Sequence, residues 1–476
     1  MNSYNKLAKN STIFAIGNIG SKFITLLMLP FYTRQFSQND YGQIDLFITT
    51  IALLMPIFTA SIVEAIVRFS LDKKNYTYGE VITNSIAVVF LGFTLLLTLY
   101  PLLINISFVE QFILFFYIVF FVQAIDTSIK QFARSIDLIK VYMISDILYT
   151  FVFVVLNILF IFVFEMGVDG YFISMILAYS VNITFLSIKT KVINYIRLKY
   201  LDKTTMKSMI LFCIPLIPNN LMWWVINISD RYMLVYFLGF GANGLYSVAT
   251  KFPSIISNLY VIFYKAWQVS AIEEYESSNK NIFYSNIFNL LFFVMLIAAS
   301  VYIIFNKLFV HILVSNEFYS VWKYTPILVL AAVFSCFSSF IGTNYIAMKK
   351  TKGALYTSFI GAIINFILNV LLIPFYGVYG ACVATMISFL TIWVLRINDT
   401  RKFVKINYPK MKMIFSFILV GVQLIIGYLD INIITKSCIN FIVLLTLIYL
   451  SLEFTKKPII LIFNKFLYLF KKVRKT

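Results

Sequence analysis

Apolar stretches long enough to cross a bilayer follow one another along the whole chain, and no motif constrains its fold as strongly. About fourteen reach the length a transmembrane helix needs. They cover residues 11–36, 43–70, 81–104, 111–134, 141–164, 168–188, 207–238, 244–271, 282–306, 323–348, 353–375, 378–398, 411–430 and 435–455. With 61% hydrophobic and 12% charged residues over 476 positions, the chain has too little polar surface for a water-soluble domain. The expected fold is an all-α polytopic membrane protein.

The net charge of +19 does not indicate nucleic-acid binding, because the cations gather in short clusters between spans. Lys73 and Lys74, Lys189 to Lys203, Lys349 to Lys352 and Arg401 to Lys410 fall on one side of the alternating spans. The other side holds few, among them Arg34, Lys307, Lys323 and Lys436. By the positive-inside rule both termini are cytoplasmic, which requires an even number of helices. All outer loops are short, the longest being roughly 307–322 with the single histidine, His311. Cys213, Cys336, Cys382 and Cys438 are scattered singly and read as packing residues. The tail from Pro458 is apolar, then basic, and reads as an interfacial anchor.

Residues 207–253 read as two apolar helices joined by a Gly-rich turn, Gly239 to Gly244. Asp230 and Arg231 precede that turn and Lys251 follows it, with the cations on the order of 10–12 Å below it at the α-helical rise. Ionisable groups at such depth face a bundle interior or a wet cavity. Two readings stand side by side: a substrate pathway, or a static ion pair in which Asp230 neutralises Arg231 or Lys251.

Two internal echoes suggest duplication. FSQNDYGQI (36–44) pairs with LGFGANGLY (238–246), matching Gly42 with Gly244 in two short outer turns. LNILFIFVFEMGVDG (156–170) pairs with LNVLLIPFYGVYG (368–380), matching Gly167 with Gly377 after a two-residue gap. The implied division is two parallel-related six-helix bundles, 1–200 and 201–405, and an appendage, 406–476, holding two extra helices and a basic tail.

The even helix count, the six-helix repeats, the outer turn from Ser37 to Gly42 and the run from Asp230 to Phe252 (DR…G…GLYSVATKF) resemble Wzx-type polysaccharide flippases. These form the polysaccharide transporter branch of the multidrug/oligosaccharidyl-lipid/polysaccharide exporter superfamily. The resemblance implies a bacterial cytoplasmic-membrane protein that is not an enzyme. It would move an undecaprenyl-diphosphate-linked oligosaccharide from the inner to the outer leaflet by alternating access, for capsule, exopolysaccharide or O-antigen. A polysaccharide polymerase and glycosyltransferases would be its partners alongside the bilayer. No cofactor is implied, and the coupling ion, H+ or Na+, is left open.

Such a substrate needs cations for its phosphates and polar or aromatic groups for its sugars. Lys22 has no acid within a turn and is the first diphosphate candidate, followed by Arg34, Arg231 and Lys251. Asn227 and Trp224 suit sugar contact, with Asn219, Asn220 and Trp223 nearby; packing is the alternative role for the tryptophans. Asp230 is a coupling or ion-pair candidate, as are Glu64 and Arg68, spaced i,i+4 for a local pair. Asp126, Lys130 and Arg134 read as a solvated helix end, and Pro215 and Pro218 as a break in the seventh span.

No Ser-His-Asp arrangement, metal cluster or phosphate-binding loop is visible. A lipid II flippase or an ion-coupled multidrug antiporter of the same superfamily is the alternative. A membrane polysaccharide polymerase is disfavoured by the short outer loops.

Overall fold

The computed structural model describes residue 24 and residues 26–72, 74–348 and 350–473. Every regular element among the described residues is helical. Eleven of their helices are long and apolar enough to cross a membrane. Leu216–Leu238 and Phe240–Glu274 occupy two further expected spans, and Leu29–Gln35 is the described end of the first. Length and apolarity alone therefore do not reach fourteen.

The chain divides into two compact units: Met1–Val248 with Leu313–Phe318 and Ile373–Val378, and Ala249–Ile312 with Tyr319–Leu372 and Tyr379–Thr476. The first contains α1 (Leu29–Gln35), α2 (Gln38–Phe58), α3 (Ile62–Ser70), α4 (Tyr78–Thr98), α5 (Ile113–Ser135), α6 (Ile139–Asn157), α7 (Gly167–Thr190), α8 (Lys203–Cys213), α9 (Leu216–Leu238) and the start of α10 (Phe240–Glu274). Its core is aromatic. Phe47 of α2 lies 4.1 Å from the Phe172 ring of α7 and 5.5 Å from Phe116 of α5. That anchors one face of α2 and leaves Asp45, Thr49 and Thr50 for the side packed on α9.

Two expected spans are broken. The 43–70 span divides into α2 and α3 at Ala60 and Ser61, both left-handed at φ 49° and 52°. Pro56 withholds an amide from the end of α2. Gly92 of α4 lets the Phe58 carbonyl come so close that a Cβ there would lie 1.6 Å from it. The seventh span breaks where Pro215 was expected to break it, between α8 and α9. The Asn220 amide of α9 donates to the Ser61 hydroxyl at 3.2 Å, so the two breaks meet inside one unit. Irregular backbone at membrane depth is tolerated where protein surrounds it in this way.

Both expected outer turns are shorter than the sequence suggested. Ser37 caps α2 with Asp40 in a capping box, so Gly42 already lies in a helix. Only Gly239, at φ 84°, turns the chain between α9 and α10. Lys251 consequently sits eleven residues into α10, about 17 Å from its start and deeper than its spacing from a turn ending at Gly244 implied. The anticipated 307–322 loop is also largely helical. The helix through His311 runs to Leu313, and a 3-10 segment covers Asn316–Lys323.

The second unit holds the rest of α10, then α11 (Lys280–Leu313), α12 (Thr325–Ala347), α13 (Thr351–Tyr376), α14 (Val378–Thr400), α15 (Lys410–Tyr428) and α16 (Ile433–Val473). Trp267 of α10 stacks on Phe340 of α12 at 4.2 Å, and its indole N–H donates to Thr343 at 2.8 Å. No helix end falls at Pro458; α16 continues through it. Three of the four cysteines are buried, as packing residues would be, and Cys438 is exposed.

Candidate functional site

The charged centre of the first unit forms where α2, α9 and the start of α10 pack together. Arg231 of α9 donates from Nη1 to Asp45 of α2 at 2.9 Å, and their side chains are only 14% and 9% exposed. Ser247 of α10 donates to the same carboxylate at 2.6 Å. The Asn243 amide donates to the Gly42 carbonyl at 2.9 Å and reaches the second Asp45 oxygen at 3.4 Å. One residue before Arg231, buried Asp230 accepts a short hydrogen bond from the Tyr246 hydroxyl. The cluster thus holds two carboxylates and one guanidinium.

Neutral contacts extend the same seam. Tyr232 and Thr50 share a 2.5 Å hydroxyl contact, and the Trp224 indole donates to the Thr49 carbonyl at 3.1 Å. Trp224 and Tyr232 meet edge to face at 5.3 Å. The site occupies the seam because α10 approaches α2 without side chains in the way. Cβ atoms at Gly42 and Gly244 would lie 1.9 Å from the Phe240 carbonyl oxygen and 2.0 Å from that of Gln38. That proximity brings Asn243 and Ser247 onto Asp45.

The static pair expected within the 207–253 hairpin is replaced for Arg231 by a long-range pair with Asp45, a residue the sequence reading did not single out. A lone acid near the start of an apolar span was the available signal. Arg231 is accordingly held by protein and is not an open cation. Trp224 is half-buried and committed to the seam, while Asn227 is exposed one turn away. Arg34 is exposed at the end of α1. Lys251 is half-buried and belongs to the second unit. Glu64 and Arg68 are both exposed on α3, and the expected i,i+4 ion pair between them does not form. Lys22 and the side chains of Asn219 and Trp223 lie outside the described residues.

The reading of Asp126 as part of a solvated helix end is overturned. Asp126 is 4% exposed, accepts from the Asn182 amide of α7 at 2.7 Å, and faces the interior. Lys130, one turn on, pairs instead with Asp146 of α6. Helix periodicity places these acids and bases on one face but does not say which neighbouring helix covers it. Arg396 of α14 was missed as well. It is 5% exposed and donates to neutral groups, the Ser338 carbonyl at 2.8 Å, the Thr357 hydroxyl at 3.1 Å and the Ser358 hydroxyl at 2.9 Å. Among the described residues no group of three or more His, Cys, Asp or Glu side chains is placed to hold a metal ion.

Comparison with known proteins supplies the family. A curated relative, an uncharacterized membrane protein of Methanocaldococcus jannaschii, is 27% identical over 209 residues, 42% of this chain and 40% of that protein. The chain therefore matches less than half the length of that relative. Among solved structures, the lipid II flippase MurJ in an inward closed conformation superposes with a TM-score of 0.68 at 14% identity, covering 95% of this chain and all of that one. An inward-facing multidrug resistance MATE transporter of the MOP superfamily gives 0.66 at 12% identity over 85% and 95% of the two chains. At these identities the likeness shows the fold. The profile of the polysaccharide biosynthesis protein family matches residues 7–268, more than half of the sequence. This multi-pass membrane chain, with the fold of MurJ and the MATE transporters, belongs to the polysaccharide biosynthesis protein family.

Proposed function

We propose that this protein is a Wzx-type flippase. It carries undecaprenyl-diphosphate-linked oligosaccharide repeat units from the inner to the outer leaflet of a bacterial cytoplasmic membrane, with both termini in the cytoplasm and alternating access as the mechanism. The reading rests chiefly on the Arg231–Asp45 pair, a charged lock inside apolar helices of a polysaccharide biosynthesis family member. A buried guanidinium tolerates exchange of one anion for another far better than loss of its partner. In this mechanism a diphosphate competes with Asp45 for Arg231, so substrate arrival loosens the α2–α9 seam. Lys22, Arg34 and Lys251 supply further phosphate contacts. Asn227 contacts the sugars, and Trp224 joins it once the seam loosens. Asp230 is the coupling group for H+ or Na+, with Glu64 and Arg68, exposed on α3, as separate coupling candidates. The polymerase and glycosyltransferases of the same pathway are the proposed partners.

The proposed architecture remains two six-helix repeats, 1–200 and 201–405, followed by 406–476. The echoed glycines support this: Gly167 and Gly377 share a left-handed backbone, at φ 54° and 58°. The two-residue excess of the first copy falls where it has a π-helical turn, Ile158–Val163.

Chemical identification of the lipid-linked saccharide that accumulates on the inner leaflet of a deletion strain tests the function. A complete repeat unit on diphosphate lipid supports it, with rescue lost for Arg231→Gln. Accumulated lipid II would make it a cell-wall precursor flippase, the reading the MurJ likeness favours second. Unpolymerised units already on the outer leaflet would make it a polymerase and overturn the proposal.

A further inference from the structure

The second unit contains a cavity of about 910 Å3 among the ends of α11, α15 and α16. The volume lies within the range of roughly 300–1,000 Å3 typical of pockets for drug-sized ligands. Its walls are aliphatic and aromatic, from Ile303, Leu308, Leu424, Phe441 and Leu444. Its rim is charged, with Lys307, Lys436 and Asp430 all lining it. Lys307 Nζ rests 4.2 Å over the Trp322 ring, and Trp322 meets Tyr428 at 5.8 Å. Paired Trp and Tyr beside lysines are the composition of a membrane–water interface. Lys436 Nζ donates to the Gly427 carbonyl at 2.8 Å and reaches the Leu429 carbonyl at 3.5 Å, which holds the ammonium on the rim and leaves one of its three hydrogens for another acceptor.

This combination selects its occupant. A free phosphate would leave the apolar walls wet, and a neutral hydrocarbon would leave the net positive charge uncompensated. A zwitterionic lipid brings its own cation to a rim that already carries two lysines. Two lysines and one aspartate leave a single net positive charge, the complement of a phosphodiester whose headgroup is otherwise uncharged. We propose that this cavity binds one anionic phosphodiester lipid of the surrounding bilayer, of the phosphatidylglycerol class. Its phosphate lies between Lys307 and Lys436, and its acyl chains lie along α11, α15 and α16. The site is independent of the transport reading, since it uses none of the residues assigned to substrate.

The test is native mass spectrometry and thermal melting of the purified full-length protein, titrated separately with phosphatidylglycerol, phosphatidylcholine, a polyprenyl diphosphate and inorganic phosphate. Phosphatidylglycerol should bind one equivalent and raise the melting temperature where phosphatidylcholine does not. Lys307→Gln should weaken that binding about fivefold, the effect of one lysine near a charged headgroup, and Lys307→Glu should weaken it further. Lys307 is the residue to change because Lys436 also caps α15; unchanged melting of Lys307→Gln without lipid shows that it folds. Leu424→Trp fills the wall and should block binding with both lysines present. Equal binding of the two phospholipids, or an unaffected Lys307→Gln, overturns the proposal. Equal protection by inorganic phosphate would make this a free-anion site. One-for-one displacement by the polyprenyl diphosphate would assign it to transported lipid, which also overturns a bilayer-lipid site and leaves the flippase reading intact.

Discussion

Gly42 of α2 and Gly244 of α10 lie back to back, each so close that a Cβ on one would fall 3.0 to 3.2 Å from the backbone nitrogen of the other. They are also the residues matched by the first internal echo, so the two echoed segments touch each other. This contact seats Asn243 and Ser247 on Asp45.

Substituting either glycine should therefore be costly. Gly42→Ala places its Cβ against the Phe240 carbonyl, which is backbone and cannot rotate away. Overpacking of this kind costs about 1–3 kcal/mol, against a gain of roughly 1 kcal/mol in helix propensity. Thermal melting in detergent should drop clearly for Gly42→Ala and Gly244→Ala. Gly421→Ala on α15 meets nothing within 4 Å and should melt at or above the wild-type temperature.

The Arg231–Asp45 pair should behave as a buried lock. Removing one partner strands the other charge, which costs about 3–5 kcal/mol. Asp45→Asn and Arg231→Gln should each lower stability on that scale, and the double substitution should recover much of the loss. Strictly additive losses in a double-mutant cycle would mean that the pair does not hold the seam.

For Asp126 and Asn182 the prediction is an ordering of two losses. Asn182→Leu removes the amide donor from a buried carboxylate and should cost about 1–3 kcal/mol. Asp126→Asn removes the charge whose burial is expensive and keeps the shape, so it should cost less than Asn182→Leu. Melting curves of the two variants, measured side by side, decide this ordering.

Asp202 supplies a pH dependence outside the membrane spans. It caps α8, accepting from the Thr204 hydroxyl, the Thr205 amide and the Thr205 hydroxyl, and these donors hold its carboxyl well below the usual range. A group with a depressed folded value stabilises fully above its unfolded pKa, about 3.9, and loses that contribution as pH falls through the folded value. Wild-type and Asp202→Asn proteins should differ in melting temperature near neutral pH and begin to converge only below about pH 4, where the carboxyl starts to protonate in the unfolded chain. A difference that persists unchanged into acid would point to the cap's shape, not its charge.

Much of this protein was determined by its sequence alone. Helix and membrane class follow from long apolar runs, because a chain in hydrocarbon must satisfy its backbone hydrogen bonds internally. The break at Pro215 and the membership of Arg231, Asp230 and Trp224 in a special segment were legible for the same local reasons. Tertiary structure decided the pairings. Asp45 finds Arg231 across 186 positions, and Asp126 finds Asn182 across 56. Lys130 passes over Asp126, at its own i−4 position, for a neighbouring helix. Periodicity states which face of a helix a side chain occupies, but a charge buried in a low-dielectric interior takes whichever counter-group the packing brings nearest. At Asp45, two glycines that let α2 and α10 touch also bring Asn243 and Ser247 onto the carboxylate.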